Sequence, residues 1–173
     1  MTRPNISLVQ KRVANIAIGP STLRNQGKCT ISVAIEFLSS MDLNRFRVKT
    51  EKDFARLMNE LTKELMSKFP PDARNNWGAA RKSINVFLEE VFYNRFLVKQ
   101  YRLQNLERYL EVPLDGQVTK KLLENNRNLP RWKGIKYLTE ENSQKYQDFA
   151  KNLAKEKKTS RVYLDLEYWR GKN

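Results

Sequence analysis

The chain has no histidine among its 173 residues and a single cysteine, Cys29. The first absence removes imidazole acid/base catalysis, Ser-His and Cys-His pairs, and the commonest metal ligand. The second excludes an intrachain disulfide, a cysteine zinc site and a four-cysteine iron–sulfur cluster. Also missing is any apolar run near the roughly 20 residues of a membrane span, and the opening MTRPNISLVQKR lacks the apolar core of a signal peptide. No internal repeat, low-complexity tract or linker interrupts the chain. We therefore expect an intracellular protein in a reducing compartment, with no membrane, metal or cofactor. Any chemistry must run on Lys, Asp, Glu, Tyr or the backbone.

What is present in excess is positive charge. Lys and Arg number 33 against 19 Asp and Glu, a formal net charge of +14. No separate basic tail carries it, so the folded surface itself must present a field suited to phosphate. Nucleic acid is the first partner this suggests. An anionic membrane surface or an acidic protein would meet the same charge.

The apolar positions predict helices. SLVQKRVANIAI repeats at three and four residues and ends at Gly19-Pro20. CTISVAIEFLSSM is rich in β-branched residues, yet its length and the spacing of Val33, Ile35, Phe37 and Leu38 favour a helix. Thr50 with Asp53 three residues on forms a near capping box ahead of Phe54, Leu57, Met58, Leu61, Leu65 and Phe69. Pro70-Pro71 ends that helix. From Trp77, residues Ala80, Ile84, Phe87, Leu88 and Val91 share one face, and the helix is expected to run to about Val98 with Lys82 and Glu89 pointing the other way. NLERYL adds a short helix, Asp115 opens a helix through Leu122 and Leu123, and Thr139 opens another through Leu153. RVYLDLEYW alternates like a strand, but with no partner strand in view a helix is preferred. The expectation is an all-α chain of one compact domain over residues 1–173.

Within this frame a few residues suit chemistry. Without histidine, the accessible nucleophile near neutral pH is a lysine whose amine has been deprotonated by burial or by neighbouring cations. Lys82 lies in the first turns of its helix, after Gly78 and beside Arg81, where the helix dipole would lower its pKa if it were partly desolvated. On the residues alone the plainer reading is an ordinary solvated lysine. Asp115, after the rigid Pro113, stands where an N-cap stands, and a capping carboxylate can still face a pocket. Asp165 and Trp169 are four apart, so a helix places them on one face, as base-binding groups or as surface and core. RFRVK at 45–49 and PRWKGIK at 130–136 mix basic and aromatic residues, a pattern suited to nucleic acid. Ser21, Arg24 and Asn25 could meet a phosphate or form a plain turn. Arg24, Arg81, Arg131 and Lys133 are the candidate contacts to a DNA backbone.

Taken together, Lys82 in ARKSINVF, Asp115 in VPLDGQV and the closing RVYLDLEYW resemble the carboxyl-terminal half of the helix-hairpin-helix DNA glycosylases, most closely the archaeal 8-oxoguanine DNA glycosylases. The resemblance covers about residues 75–169, leaving 1–74 as an unmatched helical part. Pro113, Leu114 and Asp115 fit the family's Pro-x-Asp segment, and Asp165 with Trp169 fits its closing Leu-Asp segment with a tryptophan four residues on. It implies a helix-hairpin-helix fold and removal of an oxidised purine such as 8-oxoguanine from double-stranded DNA. Lys82 would attack the sugar C1′ and form a Schiff base, with a possible β-elimination. Asp115 would stabilise the cationic transition state, and Asp165 and Trp169 would contact the flipped base. The family needs neither metal nor cofactor, and a monomer is expected. The alternative is a helical module that binds DNA or RNA without chemistry, or a scaffold protein for an acidic partner.

Overall fold

Short polar residues stand ahead of the helices and accept their first N–H groups. Asn5, Thr50, Asn76, Asn94, Asp115 and Thr139 each cap a helix through a side-chain oxygen, satisfying donors that have no partner within the helix. The structure, a computed structural model, describes residues 4–169 of the chain, and of Trp169 the backbone alone. The described residues are all-α, without a strand.

The helices are α1 (Ile6–Ala17), α2 (Pro20–Leu23), α3 (Thr30–Ser40), α4 (Glu51–Lys68), α5 (Trp77–Tyr93), α6 (Arg95–Tyr101), α7 (Gly116–Asn125), α8 (Glu140–Glu156) and α9 (Tyr163–Trp169), with 3₁₀ turns at Leu43–Phe46, Leu106–Arg108 and Ile135–Tyr137. The two segments that could have been strands, around Val33 and around Leu164, are helices. The helix expected to continue to Val98 instead breaks at Asn94, whose extended backbone ends α5 and whose side chain caps α6. Apolar periodicity runs through that junction because Leu97 is buried like the residues before it.

Two apolar clusters form the interior. The larger draws on α1 to α6, from Val13 to Leu110, and takes in Val162. The smaller is built by Val112, Leu114, α7, α8 and Leu164 of α9. Helix α5 belongs to both sides of this division, packing on α1, α2, α3, α4 and α6 and on the Ile135–Tyr137 turn. From Gly78 to Val91 only Val86 and Glu90 escape full burial. Lys82 and Glu89, expected on an open face, are therefore inside, because the carboxyl-terminal half of the chain covers the face that periodicity leaves polar. Gly78 marks the closest approach: a Cβ there would lie 2.1 Å from the Ile135 carbonyl oxygen, so only glycine lets the turn seat on α5.

The passage between the clusters, residues 109–115, has no helix or strand and is clamped by buried polar side chains. Arg161 donates from Nε to the Leu110 carbonyl at 2.8 Å and from Nη2 to the Tyr109 carbonyl at 2.8 Å. Gln147 of α8 accepts from Val112 N–H at 3.1 Å and donates to the Val112 carbonyl at 2.8 Å. Arg81 of α5 makes a bidentate ion pair with Glu111, Nε to Oε2 at 2.9 Å and Nη2 to Oε1 at 2.8 Å. Its remaining nitrogen, Nη1, reaches Asn59 and Thr62 on α4, and Asn85 Nδ2 donates to Glu111 as well. Burial would raise the Glu111 carboxyl, but the Arg81 guanidinium, with Arg161 and Asn85, holds it below its ordinary value.

Both members of that pair are only 6% exposed, so removing one strands a charge in the interior. Glu111→Ala is expected to cost about 3–5 kcal/mol in urea unfolding. A loss under about 1 kcal/mol would show that the passage is held without the pair.

Candidate functional site

The clamp has a local consequence, because Asp115 lies four residues after Glu111 and Lys82 lies next to Arg81. Fixing Arg81 to Glu111 therefore fixes the Asp115 end of the passage against the start of α5. Helix α9 completes the arrangement by bringing Asp165 to the same place. Lys82, Asp115 and Asp165 are close enough for each carboxylate to act on the amine's charge.

Lys82 is 7% exposed. Among the described residues its amine makes neither a hydrogen bond nor a direct ion pair. Burial lowers its pKa from the ordinary lysine value, and the charges of Asp115 and Asp165 offset part of that effect. An amine so placed has a larger neutral, nucleophilic fraction near neutral pH than a solvated lysine. The solvated alternative is thereby excluded by geometry.

Asp115 does cap α7. A single oxygen, Oδ1, accepts from Gln117 N–H at 2.8 Å and Val118 N–H at 2.9 Å. Among the described residues Oδ2 makes no hydrogen bond, and the side chain is half-buried. One carboxylate thus caps the helix through a single oxygen while its charge acts on Lys82. The Asp165 carboxyl is pushed up to about 6 by burial first and by the Asp115 charge second, with Lys82 acting against both.

Sequence reasoning missed a further member. Glu89 lies two helical turns after Lys82 on α5, is 7% exposed, and has no cation paired with it among the described residues. Its Oε1 accepts from the Tyr93 hydroxyl at 3.3 Å. Burial, and then the nearby Asp165 charge, push its carboxyl up to about 8, while the Tyr93 hydrogen bond acts in the opposite direction. The Tyr93 hydroxyl is itself raised, by burial and by Glu89. Glu89 and Asp165 lie close enough in a partly dry site that both cannot be ionised cheaply, and Glu89, raised further, holds its proton more tightly. The signal available in the sequence was the seven-residue spacing of Lys82 and Glu89, which puts them on one helix face.

The other candidates are distributed differently. Arg81, read as a contact for a DNA backbone, is buried and fully engaged by Glu111, Asn59 and Thr62, and so is not offered to a phosphate. Arg24, Arg131 and Lys133 are exposed. The Trp169 side chain lies outside the described residues. Among the described residues no group of three or more His, Cys, Asp or Glu is gathered so as to hold a metal ion, and no helix is long and apolar enough to cross a membrane. No protein-family model, curated protein or solved structure matches this chain.

The Glu89 carboxyl gives a measurable pH dependence. Its pKa rises from an ordinary 4.5 to about 8 on folding, so the folded state holds the proton more tightly. The associated stability is present below the unfolded value and is lost as pH rises through the folded one. Glu89→Gln, which keeps a neutral side chain of the same shape, is expected to flatten the decline in the urea midpoint between about pH 5 and pH 8. An unchanged decline would mean that Glu89 is already ionised in the folded protein.

Proposed function

We propose that this protein is a DNA repair glycosylase that removes an oxidised purine such as 8-oxoguanine, with Lys82 as nucleophile. The observation that carries the reading is the buried, unpaired Lys82 amine flanked by Asp115 and Asp165. The resemblance over residues 75–169 names the same three side chains for this chemistry. Helices α4 and α5 pack on one another, joined by residues 69–76, with Lys82 in the second. The net charge of +14 suits a DNA ligand.

In this reading the neutral Lys82 amine forms a bond to the sugar C1′ as the bond from C1′ to the base nitrogen breaks. The base departs with that electron pair and takes up a proton. Loss of a proton from the attached nitrogen and opening of the sugar ring leave an imine between Lys82 and C1′. The free Asp115 oxygen faces the positive charge that develops on the sugar in the transition state and is placed to accept the amine proton. Asp165, with Glu89 protonated beside it, offers one acceptor and one donor to the edge of an extruded base, and the resemblance assigns base contact to Trp169 as well. Elimination at the imine would then nick the strand.

The test is borohydride trapping on duplexes carrying 8-oxoguanine or other lesions. The parent protein is expected to form a covalent adduct and Lys82→Gln none, with duplex affinity within a few-fold of the parent. Asp115→Asn retains a capping oxygen but not the charge, and is expected to slow base release by about 100-fold or more without loss of stability. Lesion binding with no adduct and no base release would replace this reading with a module that binds nucleic acid without chemistry.

A further inference from the structure

Away from Lys82, the loop 130–137 builds a surface that the chemistry above does not use. Tyr137 is 64% exposed, more than any other aromatic residue among the exposed large hydrophobics. It stands between two concavities. One, of about 620 Å³, extends along the loop toward α8 and the first turn of α5. The other, of about 480 Å³, lies between the turn at 25–27 and the connection at 71–76. Asn75, Lys136 and Tyr137 line both, so the two concavities adjoin across the tyrosine ring.

The loop is held rigidly enough to present that ring. Tyr146 donates to the Pro130 carbonyl at 2.6 Å, and Trp132 meets the Tyr146 ring edge-on at a centroid distance of 6.3 Å. At the other end Gly78 admits the Ile135 carbonyl against α5. Trp77 lines the larger concavity under the Arg81 guanidinium, 5.3 Å from its ring centroid. Its indole N–H is buried and has no partner among the described residues. The cations of the larger concavity are Arg131, Lys133 and Lys136, against one acid, Glu140. In the smaller one Asp72 is engaged by the Lys28 backbone N–H. Arg24 directly precedes Asn25 and Gln26, which line that concavity.

An exposed flat ring with space on both sides and cations along one of them matches an unpaired nucleotide. A base stacks on the ring while its flanking phosphates meet the cations. A duplex would satisfy the cations but would keep its base faces stacked on one another. We propose that the Tyr137 groove binds a single-stranded stretch of nucleic acid, with one base stacked on Tyr137 and the adjoining phosphates held by Arg131, Lys133 and Lys136. The inference shares with the reading above the premise of a nucleic-acid ligand, but not the chemistry at Lys82.

The experiment is fluorescence anisotropy of a labelled short oligodeoxythymidine titrated with the full chain, with unlabelled polyglutamate as a competitor that has charge but no bases. Tyr137→Ala is expected to weaken binding about 5- to 100-fold, and Tyr137→Phe, which keeps the ring, to change it by less than about two-fold. Lys133→Ala with Lys136→Ala should reduce the slope of affinity against salt. Because Tyr137 is exposed, loss of folding does not confound its replacement. Binding by Tyr137→Ala within about two-fold of the parent, or polyglutamate competing as well as unlabelled oligonucleotide, would overturn the site. Absence of a borohydride adduct in the parent protein with an intact Tyr137 effect, or the reverse, separates failure of one proposal from failure of the other.

Discussion

A guanidinium cannot sit in a protein interior without an anion beside it, and the position of Arg81 in the most buried helix imposes that demand on the rest of the chain. Glu111 meets it in bidentate geometry. Because Glu111 belongs to an irregular passage and not to a helix, the pair does more than neutralise a charge. It brings residues 109–115 onto α5, where Arg161 and Gln147 bind the backbone carbonyls and N–H group that no secondary structure satisfies. The two apolar clusters meet along this line.

Adjacent residues on α5 then have opposite fates. Arg81 is paired, hydrogen-bonded on every nitrogen and silent. Lys82, one position on and turned by about 100° around the helix, is buried to a similar degree with no direct partner among the described residues. Its two carboxylates act through space. The consequence is an amine with a lowered pKa beside an acid, Asp165, with a raised one. Groups whose environments push their proton affinities toward each other are suited to exchanging protons, and structural ion pairs show the opposite pattern. Glu89 extends the same logic, since a carboxyl with no cation near it is cheaper to bury with its proton on.

The fold was legible where local chemistry is decisive. The cap residues Thr50, Asp115 and Thr139 and the apolar spacing of α4, α5 and α8 mark real elements, and the all-α architecture follows from them. Asp115 was legible as a cap because its position ahead of Val118 and Leu122 is a local signal. Lys82 was identifiable as a candidate by its position near a helix start, but whether water reached it could not be read from periodicity. The polar face of α5 has the composition of a solvated face, and its cover comes from residues thirty to eighty positions further on. Glu89 was passed over for that reason, and Arg81 was assigned to phosphate for the same one.

The sequence by itself determined the helical character of the chain, its positive charge, and the exclusion of histidine and disulfide chemistry, because these depend on composition and on neighbours within one or two turns. Only the tertiary structure decided which charged residues are buried, which of them are paired, and which carboxylates face Lys82. Those outcomes depend on desolvation and on distances between residues far apart in the chain, and neither is encoded in the spacing along α5.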